Sequence, residues 1–275
     1  MTAESRVSPG ARWALGIEYQ GSAFCGWQRQ DGPASVQESL EAALSEIAQS
    51  AVHTTVAGRT DAGVHALGQV VHFDAPAARP ALAWTRGVNR FLPPTISVRW
   101  AKPVPLDFHA RFAALGRRYR YCILNRAERS ALFADRAAWI ARPLAVEAMQ
   151  EATRLLVGHH DFSAFRAAAC QAKHPLRELR ELRVTRRGDW VFVDAEANAF
   201  LHHMVRNLVG VLLSIGWGDR PPHWAAQVLA SRDRQQAGMT APAEGLYFVA
   251  ALYPPQFQLP TLDFPDLHTL CAPSC

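Results

Sequence analysis

Hydrophobic and polar positions in the N-terminal part of the chain follow two periods, one typical of helices and one typical of strands. Between residues 35 and 48 the spacing of Val36, Leu40 and Leu44 predicts a helix. Ser35 is placed to cap that helix, and Glu38 three residues later completes a capping box. Short apolar runs predict strands at 13–19, 52–57, 69–73 and 96–100, and a helical pattern covers 82–91.

A similar order of elements recurs in the second part of the chain, without a close repeat of the sequence itself. Strands are predicted at 117–124, 179–186, 190–200 and 246–252, and helices at 146–156, 201–215 and 224–230. This recurrence predicts an α+β architecture of two related halves, each a sheet with helices on one face. The predicted divisions are a flexible N-terminus (1–11), an N-terminal half (12–105), a C-terminal half (106–255) and a proline-rich tail (256–275).

Composition narrows the class of protein. The chain has 275 residues, of which 49% are hydrophobic, so a substantial core is expected and wholesale disorder is not. The net charge of +5 fits a polyanionic partner without requiring one, and a GC-rich genome would also favour the arginine that supplies it. No apolar run predicts a membrane span or a signal peptide. Five scattered cysteines without a Cys-x-x-Cys pair favour a reduced, cytoplasmic protein.

A dense polar cluster lies between two predicted strands, in the stretch GRTDAGVHA at 58–66. Glycines at both ends of the cluster permit close approach of a ligand to the backbone. A phosphate-binding loop is excluded, because Val64 and His65 stand where lysine and serine or threonine are needed. From the residues alone, Asp61 is open to four roles: nucleophile, base, metal ligand or turn residue. Arg59, two residues away, is placed to share one site with it.

This stretch resembles the signature of the TruA-type tRNA pseudouridine synthases. The resemblance continues in the expected order from residue 12 to about residue 255, and the tail carries none of it. It implies the pseudouridine synthase fold, in which two ferredoxin-like halves join in a mostly antiparallel central sheet with helices packed on it. The other segments that carry it are 15–19, 26–30, 35–38, 68–73, 107–112, 117–121, 160–162, 200–210 and 244–247.

The resemblance also implies an activity. A member of this family isomerises uridine to pseudouridine at positions 38, 39 and 40 of the tRNA anticodon stem-loop, as a cytoplasmic homodimer in which tRNA spans both subunits. The reaction breaks the N1–C1′ bond, turns the base and rejoins it through C5, so no cofactor, metal or membrane is expected. The target base has to leave its helix before its atoms can be reached.

By the resemblance, Asp61 is the carboxylate beside the ribose. Whether it attacks C1′, attacks C6 or removes a ribose proton stays open. Arg59 is expected to fill the space left by the flipped base and to hold phosphate, since a guanidinium both stacks and binds phosphate. Leu246 is expected to pack against the uracil.

Tyr119 and Tyr121 alternate with arginines along a predicted strand, so the two tyrosines share one face and Arg118 and Arg120 share the other. Aromatic packing explains Tyr121 well. The resemblance places Tyr119 over the uracil ring, where it stacks and could serve as base for the C5 proton. A free phenol has a pKa near 10, so that role needs tuning by Asp61 or an arginine.

Within the predicted helix 201–215, His202 and Arg206 lie one turn apart at the edge of the apolar face. An arginine at that edge needs an acidic partner or reaches solvent past the helix. The resemblance implies that the partner is Asp61. A metal pair of His202 and His203 is disfavoured, because adjacent helical residues point about 100° apart. No metal site is therefore expected.

Positive charge is concentrated between residues 111 and 142, where eight arginines meet two acids, and again at Lys173, Arg177 and Arg180. Such clusters suit phosphate contacts, although most single arginines simply face solvent. His109, Arg111 and Lys173 are the preferred RNA contacts, since they fall in family-like segments. Two other functions are weighed: a non-catalytic RNA-binding protein, and a hydrolase that uses Asp61 with His65 and His72.

Overall fold

A computed structural model describes residues 10–260 and gathers ten strands into one mixed sheet. The sheet order is β4-β1-β3-β10-β5-β9-β8-β7, with β2 on β3 and β6 on β5. Neighbouring strands are antiparallel except for the pairs β10–β3 and β5–β6. The strands are β1 Arg12–Tyr19, β2 Thr55–Val56, β3 His65–Asp74, β4 Ile96–Val104, β5 Gly116–Leu124, β6 Ala138–Trp139, β7 Gly158–Asp161, β8 Leu176–Arg187, β9 Trp190–Ala197 and β10 Leu246–Leu252.

Each half of the sheet has the strand order of a ferredoxin-like unit. In the N-terminal half the order is β4-β1-β3-β2, which is 4-1-3-2 by sequence. In the C-terminal half the order β10-β5-β9-β8 is the same, and β7 extends its outer edge. The predicted α+β architecture is confirmed. The sheet itself crosses the predicted division near residues 101–109 without a break.

The helices follow the predicted apolar periodicity. They are α1 Val36–Ala48, α2 Val146–Thr153, α3 Met204–Gly216 and α4 Trp224–Ser231, with a π-helical turn at Ala83–Gly87. The predicted cap of α1 is confirmed, since the Ser35 hydroxyl accepts from the Glu38 amide at 3.2 Å. Each half packs its helices into its own hydrophobic core, and Tyr119 touches both cores. The site described below lies where the two cores meet.

Several predicted boundaries differ from those of the structure, and for two of them the physical reason is clear. β3 begins at His65 rather than Gln69, because buried polar residues at both positions hide the apolar pattern of a strand. Gln69 is tolerated inside because its amide donates to the Gly58 carbonyl at 2.8 Å. The helix predicted from residue 201 begins at Met204, because His203 adopts a left-handed conformation with φ of 61°.

The start of the predicted tail packs on the N-terminal half. Phe257 is buried edge-on against Phe108, with ring centroids 5.0 Å apart, and Lys102 donates to the Phe257 carbonyl at 3.2 Å. The rest of that tail, with Cys271 and Cys275, and most of the predicted flexible N-terminus lie outside the described residues. Between residues 10 and 260, no helix has both the length and the apolar character that a membrane span requires.

Two buried histidines are expected to make the stability of the fold depend on pH. The Nδ1 atoms of His65 and His72 accept backbone N–H groups, from Gly21 at 3.0 Å and Ala110 at 3.1 Å. Burial lowers the pKa of each ring to about 4. As pH falls from about 6.5 to 4, the unfolded chain takes up protons that the folded rings refuse, so stability is lost.

We expect the free energy of unfolding to fall by on the order of 3 kcal/mol for each histidine over that pH range. Denaturant titrations at several pH values measure it. The His72→Gln variant, whose amide oxygen can accept the same N–H, should lose less stability on acidification. If the free energy of unfolding falls equally with pH in the two proteins, this role for His72 is ruled out.

Candidate active site

The loop between β2 and β3 carries Asp61 and is held from two sides. On one side, the Tyr19 hydroxyl shares a hydrogen bond with Thr60 Oγ1 at 2.7 Å. On the other, the Trp27 amide donates to the Thr60 carbonyl at 3.0 Å, and the Gly63 amide donates to the Phe24 carbonyl at 3.3 Å. Thr60 is buried, so these bonds satisfy polar groups that have no access to water. The side chain of the next residue, Asp61, is fixed as a result.

Close backbone contact makes two glycines necessary around this loop. Gly26 has φ of 93°, and a Cβ there would lie 2.8 Å from the Thr60 carbonyl oxygen. At Gly21 a Cβ would lie 2.0 Å from the Val64 carbonyl oxygen. Any side chain at either position would push the segment 20–27 away from the loop. The segment therefore acts as a clamp on Asp61.

Three cationic or titratable groups from the C-terminal half surround the Asp61 carboxylate. Arg206 Nη1 lies 3.5 Å from Oδ2, and Arg206 Nε is held by the Ala241 carbonyl at 2.8 Å. His202 Nε2 lies 3.2 Å from Oδ1, and His203 Nε2 lies 3.4 Å from Oδ2. The expected pairing of Asp61 with Arg206 is present, and Arg206 does not extend into solvent. The guanidinium therefore places a positive charge beside the carboxylate.

The positions of His202 and His203 show that one expectation from the sequence was wrong. They were expected to diverge as adjacent helical residues, but both precede α3, and the left-handed backbone of His203 turns the two rings toward one carboxylate. A left-handed conformation at a non-glycine residue is uncommon and costs energy, which marks the position for functional attention. Burial lowers the pKa of His203, and the Asp61 charge opposes that shift.

Tyr119 lies on β5 with its ring held edge-on between Phe200 and Phe248, at centroid distances of 5.0 and 5.2 Å. The predicted alternation is correct. Arg118 and Arg120 lie on the opposite face, paired with Glu196 and Asp194 at 2.6 Å. The lowered pKa that a base role would need is not found, because burial and then the Asp61 charge both raise the pKa of Tyr119. The phenol is therefore protonated at neutral pH.

These groups line a cleft of about 860 Å³ between the helices of the two halves. Gln37 of α1 lies on one wall, Val205 and Arg206 of α3 lie on the other, and Tyr119 and Leu246 come from the sheet. Of the predicted RNA contacts, Arg59 and Arg111 line this cleft and are exposed.

Two predicted RNA contacts are not brought to the cleft wall. The His109 ring stacks on Phe112 with centroids 4.3 Å apart and packs beside His72. Lys173 is exposed, next to Ala172, which does line the cleft. Both residues therefore lie outside the cleft, away from Asp61.

Much of the arginine-rich stretch is neutralised by acids that are remote in sequence. Besides Arg118 and Arg120, Arg142 pairs with Asp219 at 2.8 Å and Arg126 with Asp189 at 3.7 Å. Arg117 is different: it donates to backbone carbonyls, lines the cleft, and burial lowers its pKa.

Arg177 also lines the cleft, and its buried Nε has no hydrogen-bond partner within residues 10–260. The sequence analysis placed Arg177 only in a general cluster, did not single out Arg117, and considered His203 only as part of a disfavoured metal pair. The available signal for Arg117 and His203 was that they lie within family-like segments, 117–121 and 200–210.

Neither His65 nor His72 lines the cleft, and each ring uses Nδ1 to accept a backbone N–H. The hydrolase that combined them with Asp61 therefore has no geometric support. They are structural residues.

Comparison with known proteins identifies the family. A family model described as tRNA pseudouridine synthase matches residues 16–113 and 152–254. The chain belongs to the tRNA pseudouridine synthase family. The expected resemblance is confirmed, and members of this family are isomerases, which argues against the non-catalytic RNA-binding alternative.

Its relatives are similar over nearly their whole length. A tRNA pseudouridine synthase A from Hydrogenovibrio crunogenus is 56% identical over 254 residues, covering 92% of this chain and 97% of that protein. The protein of the same name from Burkholderia mallei is 54% identical over 249 residues, covering 90% and 92%. That from Nitrosococcus oceani is 54% identical over 254 residues, covering 92% and 98%.

Among solved structures, one chain of a Cbf5-Nop10-Gar1 complex is 14% identical and covers 73% of this chain and 45% of its own, with a TM-score of 0.34. That likeness is too weak to bear on the site.

The clamp on the Asp61 loop can be tested by removing one hydrogen bond. Tyr19→Phe removes the partner of a buried Thr60 hydroxyl, which should cost about 1 kcal/mol of unfolding free energy. Because Asp61 then loses its fixed position, we expect the single-turnover rate of this pseudouridine synthase to fall several-fold with little change in KM. Denaturant unfolding and a tritium-release assay on C5-labelled tRNA measure the two effects.

Tyr253→Phe is the matched control, since that hydroxyl donates to the Ala110 carbonyl at 2.6 Å and lies outside the cleft. It should lose comparable stability and keep its rate. A Tyr19→Phe enzyme whose rate matches that of Tyr253→Phe would show that the clamp does not position Asp61.

Proposed function

We propose that this protein isomerises uridine to pseudouridine at positions 38, 39 and 40 of the tRNA anticodon stem-loop, with Asp61 as the carboxylate beside the target ribose. The observation that carries the proposal is the pairing of Asp61 with Arg206 in a cleft that also contains Tyr119 and Leu246. A fixed carboxylate next to one flat ring and one aliphatic side chain suits a flipped nucleoside. The relatives named tRNA pseudouridine synthase A support tRNA as the substrate.

The chemistry divides between these side chains. The N1–C1′ bond breaks, the uracil turns, C5 joins C1′, N1 gains a proton and C5 loses one. Asp61 stabilises the positive charge that develops at the ribose, and Arg206, 3.5 Å away, holds that carboxylate in position. Closing the cleft around the free base would keep water from carrying it away.

Tyr119 acts as a protonated phenol that stacks on the base rather than as the C5 base. The raised pKa of Tyr119 supports this role, because a phenolate beside the Asp61 carboxylate would place two negative charges together. Leu246, buried at the start of β10, supplies an apolar contact for the ring. The titratable groups nearest to Asp61 that could accept the C5 proton are His202 and His203.

Base flipping and phosphate contacts fall to arginines. Arg59, exposed in the catalytic loop, is suited to fill the space left by the base. Arg111, Arg117 and Arg177 line the cleft without a carboxylate partner in the described part of the chain, so they can pair with phosphates. We assign His109 and Lys173 to RNA contacts outside the cleft. There each residue helps to position the RNA without reading its sequence.

We further propose a cytoplasmic homodimer. Large apolar side chains are exposed on the segment between β4 and β5, among them Leu106 at 68%, Phe112 at 76% and Leu115 at 52%. A concentration of exposed apolar side chains on one short segment is typical of an interaction surface. Sedimentation equilibrium at micromolar protein should give twice the mass of the chain, and a monomer at that concentration would contradict the dimer.

The decisive variant is Asp61→Asn. We expect it to make no pseudouridine while binding tRNA within about tenfold of the unmodified protein, since the amide keeps the shape and loses the charge. Pseudouridine mapping in tRNA from cells that lack this activity, supplied with either protein, measures the product at positions 38 to 40. Asp189→Asn, in an exposed hairpin turn, is the control and should restore all three sites. Product at these sites from the Asp61→Asn protein would refute the assignment.

The variant Arg59→Ala tests whether Arg59 fills the space that the flipped base leaves. Loss of the side chain should lower the rate of base flipping more than it lowers tRNA affinity, because the phosphate contacts persist. Stopped-flow fluorescence of a base analogue at position 39 measures flipping, and filter binding measures affinity. A normal rate of base flipping in the variant would count against this role of Arg59.

A further inference from the structure

Asp61, His202 and His203 bring three potential metal-ligand atoms close together. One atom from each side chain, an imidazole nitrogen or a carboxylate oxygen, lies within 4.8 Å of the other two. The Nε2 atom of His202 lies 3.2 Å from Asp61 Oδ1, and that of His203 lies 3.4 Å from Oδ2. Ligands bound about 2.0–2.1 Å from a tetrahedral zinc ion are separated by about 3.4 Å.

We propose that these three side chains form a binding site for a divalent transition-metal ion, with Zn²⁺ the best match. Two imidazoles and one carboxylate are a common protein set for zinc, which leaves the fourth position open to water. Mg²⁺ is excluded from the same site, because it prefers oxygen ligands in octahedral geometry. The millimolar Mg²⁺ that tRNA requires therefore does not compete.

Local geometry supports a site that accepts metal readily. The left-handed backbone at His203 already holds both rings toward Asp61, so little reorganisation is needed on binding.

Two features make the bound metal exchangeable. Side-chain exposure is 38% for His202, 29% for His203 and 24% for Asp61, so water and chelators reach the site. Arg206, 3.5 Å from Oδ2, keeps a positive charge beside it and weakens cation binding. The ion is therefore an exchangeable occupant that chelation removes.

One consequence rests on the proposed function. If Asp61 is the catalytic carboxylate, a metal ion on it blocks access to the ribose and stops pseudouridine formation. Zn²⁺ would then inhibit reversibly, and a chelator would restore the rate.

Calorimetric titration of the full chain with ZnCl₂, at neutral pH with Mg²⁺ present, tests the site. We expect one equivalent to bind, and binding to weaken more than tenfold in His202→Gln, His203→Gln and Asp61→Asn. His159→Gln, an exposed histidine on β7 outside the cleft, is the control and should bind as the unmodified protein does. The cysteines are common to all these variants, so zinc held by thiols cancels in the comparison.

Thermal unfolding provides a second readout that does not depend on activity. Zn²⁺ should raise Tm of the unmodified protein and of His159→Gln, and the rise should shrink in the three ligand variants. Equal zinc affinity and equal Tm shifts across all proteins would overturn the site. Zinc binding that requires all three residues but leaves the isomerisation rate unchanged would support the site and contradict the proposed role of Asp61.

Discussion

A short parallel pairing between β3 and β10 holds the two halves of the sheet together, and the site depends on it. Only Tyr247 with His65 and Phe248 with Ala66 are in register. The pairing is possible because β2 covers just Val71 and His72 on the same edge of β3 and leaves its start free. The chain between β2 and β3, which carries Asp61, therefore emerges where β10 brings in Leu246 and the C-terminal half brings in Arg206.

The charges in the cleft follow from that junction. A carboxylate brought between two hydrophobic cores needs polar partners. On the facing half it finds the Arg206 guanidinium and the rings of His202 and His203. Burial, and then the Asp61 charge, raise the pKa of Tyr119. One arrangement thus supplies the carboxylate that we propose for the ribose, the neutral ring that we propose for stacking, and the ligand atoms that we propose for zinc.

Sequence patterns predict those features that depend on neighbours in the chain. The cap at Ser35 and the opposite faces of Tyr119 and Arg118 are of this kind. The pairing of Asp61 with Arg206 was expected only from the family resemblance, because no periodicity links residues so far apart. The left-handed turn at His203 and the partner of Arg142, Asp219, are set by tertiary packing and have no local signal.

The most direct test is a crystal structure of the protein bound to an anticodon stem-loop RNA whose target uridine carries fluorine at C5, so that C5 has no proton to lose. The account predicts that the target uridine lies outside its helix, with its ribose at Asp61, Tyr119 over its base and Arg206 still beside the carboxylate. A target uridine that remains stacked in the RNA, or that enters a cavity away from Asp61, would contradict the account.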